Sequence, residues 1–415
     1  WQAVSLNATV PGDLITDLQR AGIIADPLFG TNFKNASIWS GDGWNYSTTF
    51  ALPASFTSPG SSSLLVFEGI KMGARVVLNG VQLGNVSDQH RRYVYPVSKL
   101  LRGVNQVSVL FDNTIDMSDG RFMSCSGGWD WAPYSNLRDP QSGLPTFTKG
   151  VWKSVYVVGV ESTVAAITAL VPLVKYTGSD WPIAAMTDGT PSSFEVTTKV
   201  FLRSERQVHG VLTVNGSWGA SVTQQISLNG GEVQVVIKLR ADSPKLWWTR
   251  GMGPQAMYNV SAFFQAEAGS AANVSASRRI GFRHLALVTV NDSDASVVAA
   301  SRSLEGNGNH TLMLRLNGVP VFGKGSNMVP MEALEGRYVS GMHTQIVRSA
   351  VEAGMTLLRV WGGGIYPLDE WFDACDEAGV LSMVDMMYGT DGQMPMARAT
   401  RKLLQISQDF RPYYP

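Results

Sequence analysis

The chain has 415 residues, of which 44% are hydrophobic and 16% are charged. This composition supplies enough apolar side chains for packed cores and excludes a disordered chain, and the length predicts two or three domains. Lys plus Arg and Asp plus Glu balance at 33 each, so no net charge favours nucleic acid or an anionic membrane, and no apolar run reaches the roughly 18 residues of a membrane span.

Residues 1–160 are rich in short strand signals separated by Gly, Pro and Ser. β-branched and aromatic residues predict strands at 62–67, 74–78, 106–111 and 151–158. The Asn79-Gly80 pair predicts a tight hairpin turn. Residues 12–22 differ, because apolar side chains recur there at helical spacing before Gly22. We therefore expect an antiparallel β-sandwich with one early helix.

Residues 161–285 predict a second all-β unit of immunoglobulin-like size. Its expected strands are residues 194–201, 210–214, 233–239 and 258–267, and its expected turns are residues 215–216 and 229–231. No residue pattern in this unit indicates chemistry. We interpret it as a spacer.

Helix and strand signals alternate after a hairpin predicted at residues 313–322. A helix ending at Gly354 precedes a strand at 356–361, and a helix from Pro367 to Gly379 precedes a strand at 380–385. This alternation is typical of a (β/α)8 TIM barrel, which needs about 250 residues. Only about three βα units fit before residue 415, so we expect this last domain to be incomplete.

Two segments have residue types suited to sugar binding. Arg359 and Trp361 share one strand face by alternation, which would place a guanidinium beside an indole at the carboxyl end of a barrel strand. In residues 124–133, Trp129 and Trp131 flank Asp130 and offer two aromatic platforms around one acceptor. Two core tryptophans with Asp130 capping a turn would give the same pattern, and the glycines after Trp361 also fit an ordinary loop.

Glycosylation signals and cysteines indicate the compartment. Nine N-x-[ST] acceptor sequences exceed what ordinary residue frequencies give and predict passage through the secretory pathway, to a lysosome, a vacuole or the outside; accidental matches are the alternative. Two cysteines cannot form a disulfide framework, and Cys375 is expected to be a buried free thiol, far in sequence from Cys125. The acceptors are Asn7, Asn35, Asn45, Asn85, Asn215, Asn259, Asn273, Asn291 and Asn309.

Seven segments together carry a family resemblance across nearly the whole chain. They are residues 10–32 (VPGDLITDLQRAGIIADPLFGTN), 43–50 (GWNYSTTF), 91–97 (RRYVYPV), 128–133 (GWDWAP), 281–283 (GFR), 317–330 (NGVPVFGKGSNMVP) and 357–380 (LLRVWGGGIYPLDEWFDACDEAGV). In this order they resemble the N-terminal part of the β-mannosidase branch of glycoside hydrolase family 2.

The resemblance implies three domains and a substrate pocket. The domains would be a jelly-roll-like sugar-binding domain at 1–160, an immunoglobulin-like β-sandwich at 161–285, and a linker with the first part of the catalytic TIM barrel at 286–415. Trp129 and Asp130 would reach into the pocket for the nonreducing-end sugar. Asn327, Arg359 and Trp361 would line that pocket from the barrel side.

The resemblance also implies an exo-acting retaining hydrolase that removes nonreducing-end β-D-mannose from oligosaccharides or N-glycans, without a metal or an organic cofactor. Such enzymes use two carboxyl groups, at the ends of barrel strands 4 and 7, and neither position is reached here. We therefore assign no catalytic residue. The acids on the predicted helices are interpreted as solvated, and Asp385, at the end of the third strand, receives no role.

Three departures from the family pattern leave the sugar open. Ala132 stands where Gly is common, Met328 stands where Trp is common, and residues 386–400 continue differently. A β-galactofuranosidase-like hydrolase is therefore an alternative. A noncatalytic secreted carbohydrate-binding protein is a second one, although a partial barrel with open sheet edges would tend to aggregate. A secreted adhesion-type array of sandwiches does not explain the helix–strand alternation.

Overall fold

A computed structural model describes the protein over the following residues. These are residues 4–32, 43–57, 62–71, 73–112, 149–160, 165–178, 185–186, 191–267, 273–289, 312–332, 334–362 and 364–387. They form two antiparallel β units, a small β-hairpin sheet and a parallel βα unit. No helix among them is long and apolar enough to cross a membrane.

The first unit is a β-sandwich, as predicted. One sheet has the strand order β1-β6-β3-β4 and the other has the order β5-β2-β7. Both sheets contribute to one core, in which Phe67 packs with Val76 and Phe111. The strands are β1 (Asn45–Ala51), β2 (Ser62–Phe67), β3 (Ala74–Leu78), β4 (Val81–Val86), β5 (Tyr93–Pro96), β6 (Val104–Phe111) and β7 (Val155–Val160).

The early helix is confirmed as α1 (Leu14–Arg20). Asp13 caps it by accepting hydrogen bonds from the Thr16 backbone N–H at 2.9 Å and the Thr16 hydroxyl at 2.7 Å. Leu14, Ile15 and Leu18 are buried in the sandwich core. The helical spacing of these apolar residues is what the sequence pattern detected.

The strand predicted at 151–158 was wrong at its start, since β7 begins at Val155. The preceding residues are bonded elsewhere. Val151 accepts from the Gly12 N–H at 2.9 Å, and Gly150 accepts from the Lys71 N–H at 2.9 Å. These backbone groups tie the segment to the start of α1 and to the turn after β2, so no sheet ladder forms there.

The second unit is one antiparallel sheet of five strands. Its order is β10-β9-β11-β12, and β8 pairs with the first half of β9, on the side where β11 pairs with the second half. Residues from all five strands share one core. The strands are β8 (Ala166–Tyr176), β9 (Ser193–Gly216), β10 (Ser221–Asp242), β11 (Tyr258–Ala266) and β12 (Asn273–Ile280).

The strand predicted at 258–267 is confirmed as β11, and 233–239 lies within the longer β10, but 194–201 and 210–214 were wrongly separated, because both belong to the single long strand β9. The turn predicted at 229–231 is also wrong. The chain continues through a β-bulge between Asn229 and Gly231, where Gly230 and Gly231 have φ of 90° and 81°. The left-handed conformation open to glycine bends the strand here without reversing it.

A small three-stranded sheet follows, made of β13 (Leu285–Thr289), β14 (Leu312–Leu316) and β15 (Val319–Val321). Its predicted hairpin turn is confirmed, with Asn317 at φ 51° and Gly318 at φ 81°. Asn79 and Gly80 adopt the same two conformations between β3 and β4. Both turns match the type that Asn-Gly favours.

The last unit has three parallel strands, β16 (Gly325–Met328), β17 (Leu357–Val360) and β18 (Leu381–Val384), side by side in chain order. Helix α2 (Met342–Glu352) connects the first two, and helix α3 (Asp369–Ala378) connects the second pair. The predicted helix–strand alternation is confirmed. Pro367, expected in the first turn of a helix, instead precedes the cap residue Leu368.

Buried polar contacts join the sandwich to the βα unit. Lys71 forms an ion pair with Glu335, and their side chains are 3% and 1% exposed. Asp13 accepts a further hydrogen bond from the Gly336 N–H at 2.6 Å. Burial raises the pKa of Glu335 although the Lys71 ammonium opposes this shift. The relative position of the two units thus depends on charges that water cannot reach.

A second set of contacts joins the five-stranded sheet to α3. The Trp247 indole donates to the Asp376 carbonyl at 2.8 Å, and the Thr249 hydroxyl donates to the Gly379 carbonyl at 2.7 Å. Arg279 bridges the carboxylates of Asp373 and Glu377. The end of α3 and the residue that follows it are therefore fixed by the second unit.

Replacing Lys71 with Met should lower the free energy of unfolding by about 3 kcal/mol, because Glu335 would be left buried without its counter-charge. The loss would be measured from the first transition in urea-induced unfolding. The double variant Lys71→Met/Glu335→Leu should recover most of it. Lys238→Met removes an exposed pair with Glu195 and serves as the control. A loss in Lys71→Met no larger than that in Lys238→Met would contradict a buried, coupled pair.

Because of His343, the free energy of unfolding should decrease as the pH is lowered. It lies between the rings of Tyr338 and Trp371, at 6.3 and 6.2 Å, and burial lowers its pKa to about 4, against the attraction of Glu370. Above about pH 6.5 the ring is neutral in both states. As the pH falls towards 4 only the unfolded chain takes the proton, which costs up to about 3 kcal/mol of stability.

Unfolding at pH 7 and pH 5 would test this linkage in the variant His343→Leu. We expect a smaller difference between the two pH values than in the parent protein. The exposed His209, replaced with Gln, should leave the difference unchanged. The same pH difference in His343→Leu as in the parent would show that His343 is not the residue responsible.

Candidate functional site

The predicted barrel-side residues meet at one edge of the parallel sheet. Asn327 is in β16, Arg359 is opposite it in β17, and Asp385 directly follows β18. Because parallel strands end at the same edge, the three side chains come together there although they are far apart in sequence. This edge is the one at which (β/α) proteins place their binding residues.

Arg359 is the centre of this cluster. Its Nη1 donates to the Asn327 amide oxygen at 2.9 Å, and its Nε donates to Asp385 Oδ1 at 3.1 Å. Its Nη2 pairs with the second oxygen, Asp385 Oδ2. The guanidinium therefore grips the carboxylate with two parallel bonds, a geometry that lysine cannot form. Arg359 and Asp385 are 33% and 23% exposed, so the cluster is still open to solvent on one side.

Asp385 is the member that the sequence did not assign. Its position at a strand end was visible, but its partner depends on which strands are neighbours. Asp385 Oδ2 also accepts from the Gly362 N–H at 3.2 Å. A Cβ at Gly362 would approach the Met386 carbonyl oxygen to 2.8 Å and the Asp385 Cβ to 3.0 Å. Glycine at 362 therefore permits the loop to close over this carboxylate.

Trp361 lies just past β17 and is partly exposed. Its N–H donates to the Met328 carbonyl at 3.0 Å, which extends the ladder by one residue beyond the strand. Its carbonyl accepts from the Gly364 N–H at 3.1 Å. These bonds fix the backbone of Trp361 beside the Arg359 cluster. The expected pairing of indole and guanidinium stays a prediction.

Several predicted residues fall outside the described part of the chain. These are Trp129, Asp130, Cys125 and the acceptors Asn35, Asn291 and Asn309. Of the other six acceptors, Asn215 is partly exposed and five are exposed, namely Asn7, Asn45, Asn85, Asn259 and Asn273. All six are therefore reachable from solvent.

The interpretation of the helical acids as merely solvated was incomplete. Glu370 accepts from the N–H and hydroxyl of Thr344, at 3.2 and 2.8 Å, and from the Gly341 N–H, so it caps α2 from the next helix. Asp373 and Glu377 bind Arg279. These carboxylates have a structural role, because each one binds a group on another element.

Cys375 is a buried free thiol, as predicted, and is 2% exposed. Burial raises its pKa to about 12, which keeps it protonated and unreactive. Among the described residues no group of three or more His, Cys, Asp or Glu is arranged to hold a metal ion.

A cavity of about 530 Å³ lies between the sandwich and the βα unit. Trp152 and Lys153 line it from the sandwich, and Tyr338, Tyr366 and Asp369 line it from the other side. Burial lowers the pKa of Lys153 and raises that of Asp369. The Tyr366 hydroxyl accepts from the Met387 N–H at 3.1 Å, which ties this wall to the segment after Asp385.

Chemically, the strand-end cluster is a binding device. Its carboxylate accepts three hydrogen bonds, which hold it in place. The Asn327 amide and the remaining N–H groups of Arg359 can still bond a polar ligand. Trp361, which is partly exposed, directly follows β17 at the same edge.

The chain is similar to known glycoside hydrolases. Residues 2–120 match the family described as glycosyl hydrolase 2 galactose-binding domain-like. The chain is 27% identical over 422 residues to a β-mannosidase of Rattus norvegicus, covering 94% of the chain and 44% of that protein. It is 28% identical to a β-mannosidase of Bos taurus, covering 93% of the chain and 43% of that protein.

A fungal β-mannosidase B, from Thermothelomyces thermophilus, is 26% identical. That match covers 91% of the chain and 42% of the fungal protein. The chain thus spans less than half the length of these relatives. Among solved structures, a β-D-mannosidase of Dictyoglomus thermophilum superposes with a TM-score of 0.71 at 23% identity, over 98% of this chain and 48% of that one. An exo-chitosanase of Amycolatopsis orientalis shares the fold at a TM-score of 0.67 and 19% identity, over 91% and 39%. The predicted resemblance is therefore confirmed: along nearly its whole length this chain is similar to the N-terminal part of β-mannosidases, with a glycoside hydrolase family 2 domain at its start.

Proposed function

We propose that this chain is part of an exo-acting retaining β-mannosidase that removes nonreducing-end β-D-mannose from oligosaccharides or N-glycans. The observation that carries the proposal is the Asn327–Arg359–Asp385 cluster at the carboxyl edge of the parallel sheet. The similarity to mammalian and fungal β-mannosidases supports the sugar. The exposed glycosylation acceptors support a lysosomal, vacuolar or extracellular location.

The domain organisation is proposed on the same basis. Residues 1–160 would be a jelly-roll-like sugar-binding domain, which agrees with the family match over 2–120. Residues 161–285 would be an immunoglobulin-like spacer, which agrees with the long antiparallel sheet. Residues 286–415 would contain the first three strands of a (β/α)8 barrel, an arrangement supported by the right number of parallel strands in chain order.

In a retaining mechanism two carboxyl groups about 5–5.5 Å apart act as nucleophile and as acid/base. We assign Asp385 a positioning role, because Arg359 and the Gly362 N–H bind both of its oxygens and hold it at the sheet edge. The residues of this chain would instead hold the sugar. Asn327 and Arg359 would bond its hydroxyl groups and Trp361 would cover its apolar face, with Trp129 and Asp130 joining from the first domain.

In the whole protein, Arg359→Lys should lower kcat/KM for an aryl β-mannoside by about tenfold to a hundredfold, because a charge-assisted bond to the sugar and the grip on Asp385 would both be lost. The melting temperature should change little, since the pair is partly exposed. Arg240→Lys alters an exposed pair on β10 and is the control. Unchanged kinetics in Arg359→Lys would remove Arg359 from the site.

The sugar itself can be tested with matched substrates. We expect the whole protein to hydrolyse 4-nitrophenyl β-D-mannopyranoside far faster than the corresponding β-D-galactofuranoside. The 415-residue chain alone should hydrolyse neither, because we assign none of its carboxyl groups to the catalytic pair. Faster release from the galactofuranoside would overturn the proposed sugar, and turnover by the chain alone would overturn the assignment of its residues to binding.

A further inference from the structure

The outer face of the five-stranded sheet carries an exposed aromatic side chain. Phe263 in β11 is 44% exposed. It is paired with Thr213 in β9 and with Ser275 in β12, and Thr213 is paired with Thr223 in β10. Directly paired residues project to the same face of a sheet, so these four side chains form one row. The row is uncharged, and Phe263 is its large apolar member.

The next row contains a glycosylation acceptor. Asn215 is paired with Ser221 on one side and Ser261 on the other, and Ser261 is paired with Ser277. The Ser221 hydroxyl donates to the Asn215 amide oxygen at 2.7 Å. That bond uses the oxygen and not the nitrogen, to which a glycan is attached. Asn215 therefore lies diagonally beside Phe263, at the roughly 7–8 Å typical of such neighbours.

A second acceptor lies diagonally on the other side of Phe263. Asn273 begins β12 and is paired with Gln265, two residues beyond Phe263 in β11. A third acceptor, Asn259, is in β11 itself, on the same face. Asn259 and Asn273 are exposed and Asn215 is partly exposed. Three of the six described acceptors thus surround one exposed phenyl ring.

Four segments of this face carry no charged side chain. Segments 211–215, 221–225, 259–265 and 273–277 contain no Asp, Glu, Lys or Arg, although charged residues are 16% of the chain. The charges of the sheet lie elsewhere, since Glu195 pairs with Lys238 in the first half of β9, and Arg279, paired with Asn259, is bound to α3. Natural proteins place charged side chains on exposed sheets to prevent association between them. A bulky solubilising group would give these four segments the same protection.

We propose that N-glycans on Asn215, Asn259 and Asn273 cover this part of the sheet, and that the first sugars on Asn215 and Asn273 pack on the Phe263 ring. A glycan is bulky and solubilising, so it replaces the missing charge. The pyranose C–H groups give Phe263 an apolar contact that water does not. This role is separate from the proposed hydrolysis and does not depend on it.

The test uses the whole protein secreted from a eukaryotic host. Glycopeptide mass spectrometry should find glycans on all three residues. The triple variant Asn215→Gln/Asn259→Gln/Asn273→Gln should at least double the weight-average mass in light scattering, and adding Phe263→Ser should restore the monomer. Asn7→Gln/Asn45→Gln/Asn85→Gln removes three acceptors from the sandwich instead and should leave the mass of the polypeptide assembly unchanged.

Thermal unfolding gives a second measurement that does not need the triple variant to be secreted. Phe263→Ser should lower the melting temperature when Asn215 and Asn273 carry glycans and have little effect in the variant Asn215→Gln/Asn273→Gln, because the contact exists only in the first case. An unmodified Asn215, Asn259 or Asn273 in the secreted protein would overturn the proposal. So would equal effects of Phe263→Ser in both backgrounds, or a triple variant that stays monomeric.

Discussion

The ion pair between Lys71 and Glu335 fixes how the sandwich meets the βα unit, and the cavity between the two units depends on that junction. Each charge is inaccessible to water, so separating the units slightly would leave two ions without solvent or partner. Asp13 adds a second link, since it caps α1 and binds the Gly336 N–H. The cavity between Trp152 and Tyr366 is a consequence of this fixed spacing.

Helix α3 contacts both the cavity beside the sandwich and the five-stranded unit. Asp369 at its first turn faces the sandwich across the cavity, whereas Asp376, Glu377 and the following Gly379 are bound by the five-stranded sheet. One helix is therefore held between two β units. Because α3 leads directly into β18, these contacts also set the position of Asp385 at the sheet edge.

Local patterns predicted most of the described fold. Helix α1, both Asn-Gly turns and the alternation of α2, β17, α3 and β18 follow from spacing and from turn residues. The Asn229–Gly231 segment was predicted wrongly because glycines with positive φ suit a reversing turn and a bulge equally well, and only the paired strand decides between them. Contacts across units, such as Arg279 with Glu377, leave no local signal.

The candidate site shows the same limit more sharply. Strand alternation could place Arg359 at the edge, but its partner Asp385 is 26 residues away and is reached only because β17 and β18 are neighbours. That partnership has a chemical consequence. A carboxylate bound by a guanidinium and a backbone N–H is a fixed acceptor, while a catalytic carboxyl must exchange a proton or a bond. In the proposed hydrolase, Asp385 would orient Arg359, and through it Asn327, toward the sugar and leave bond cleavage to other carboxyl groups.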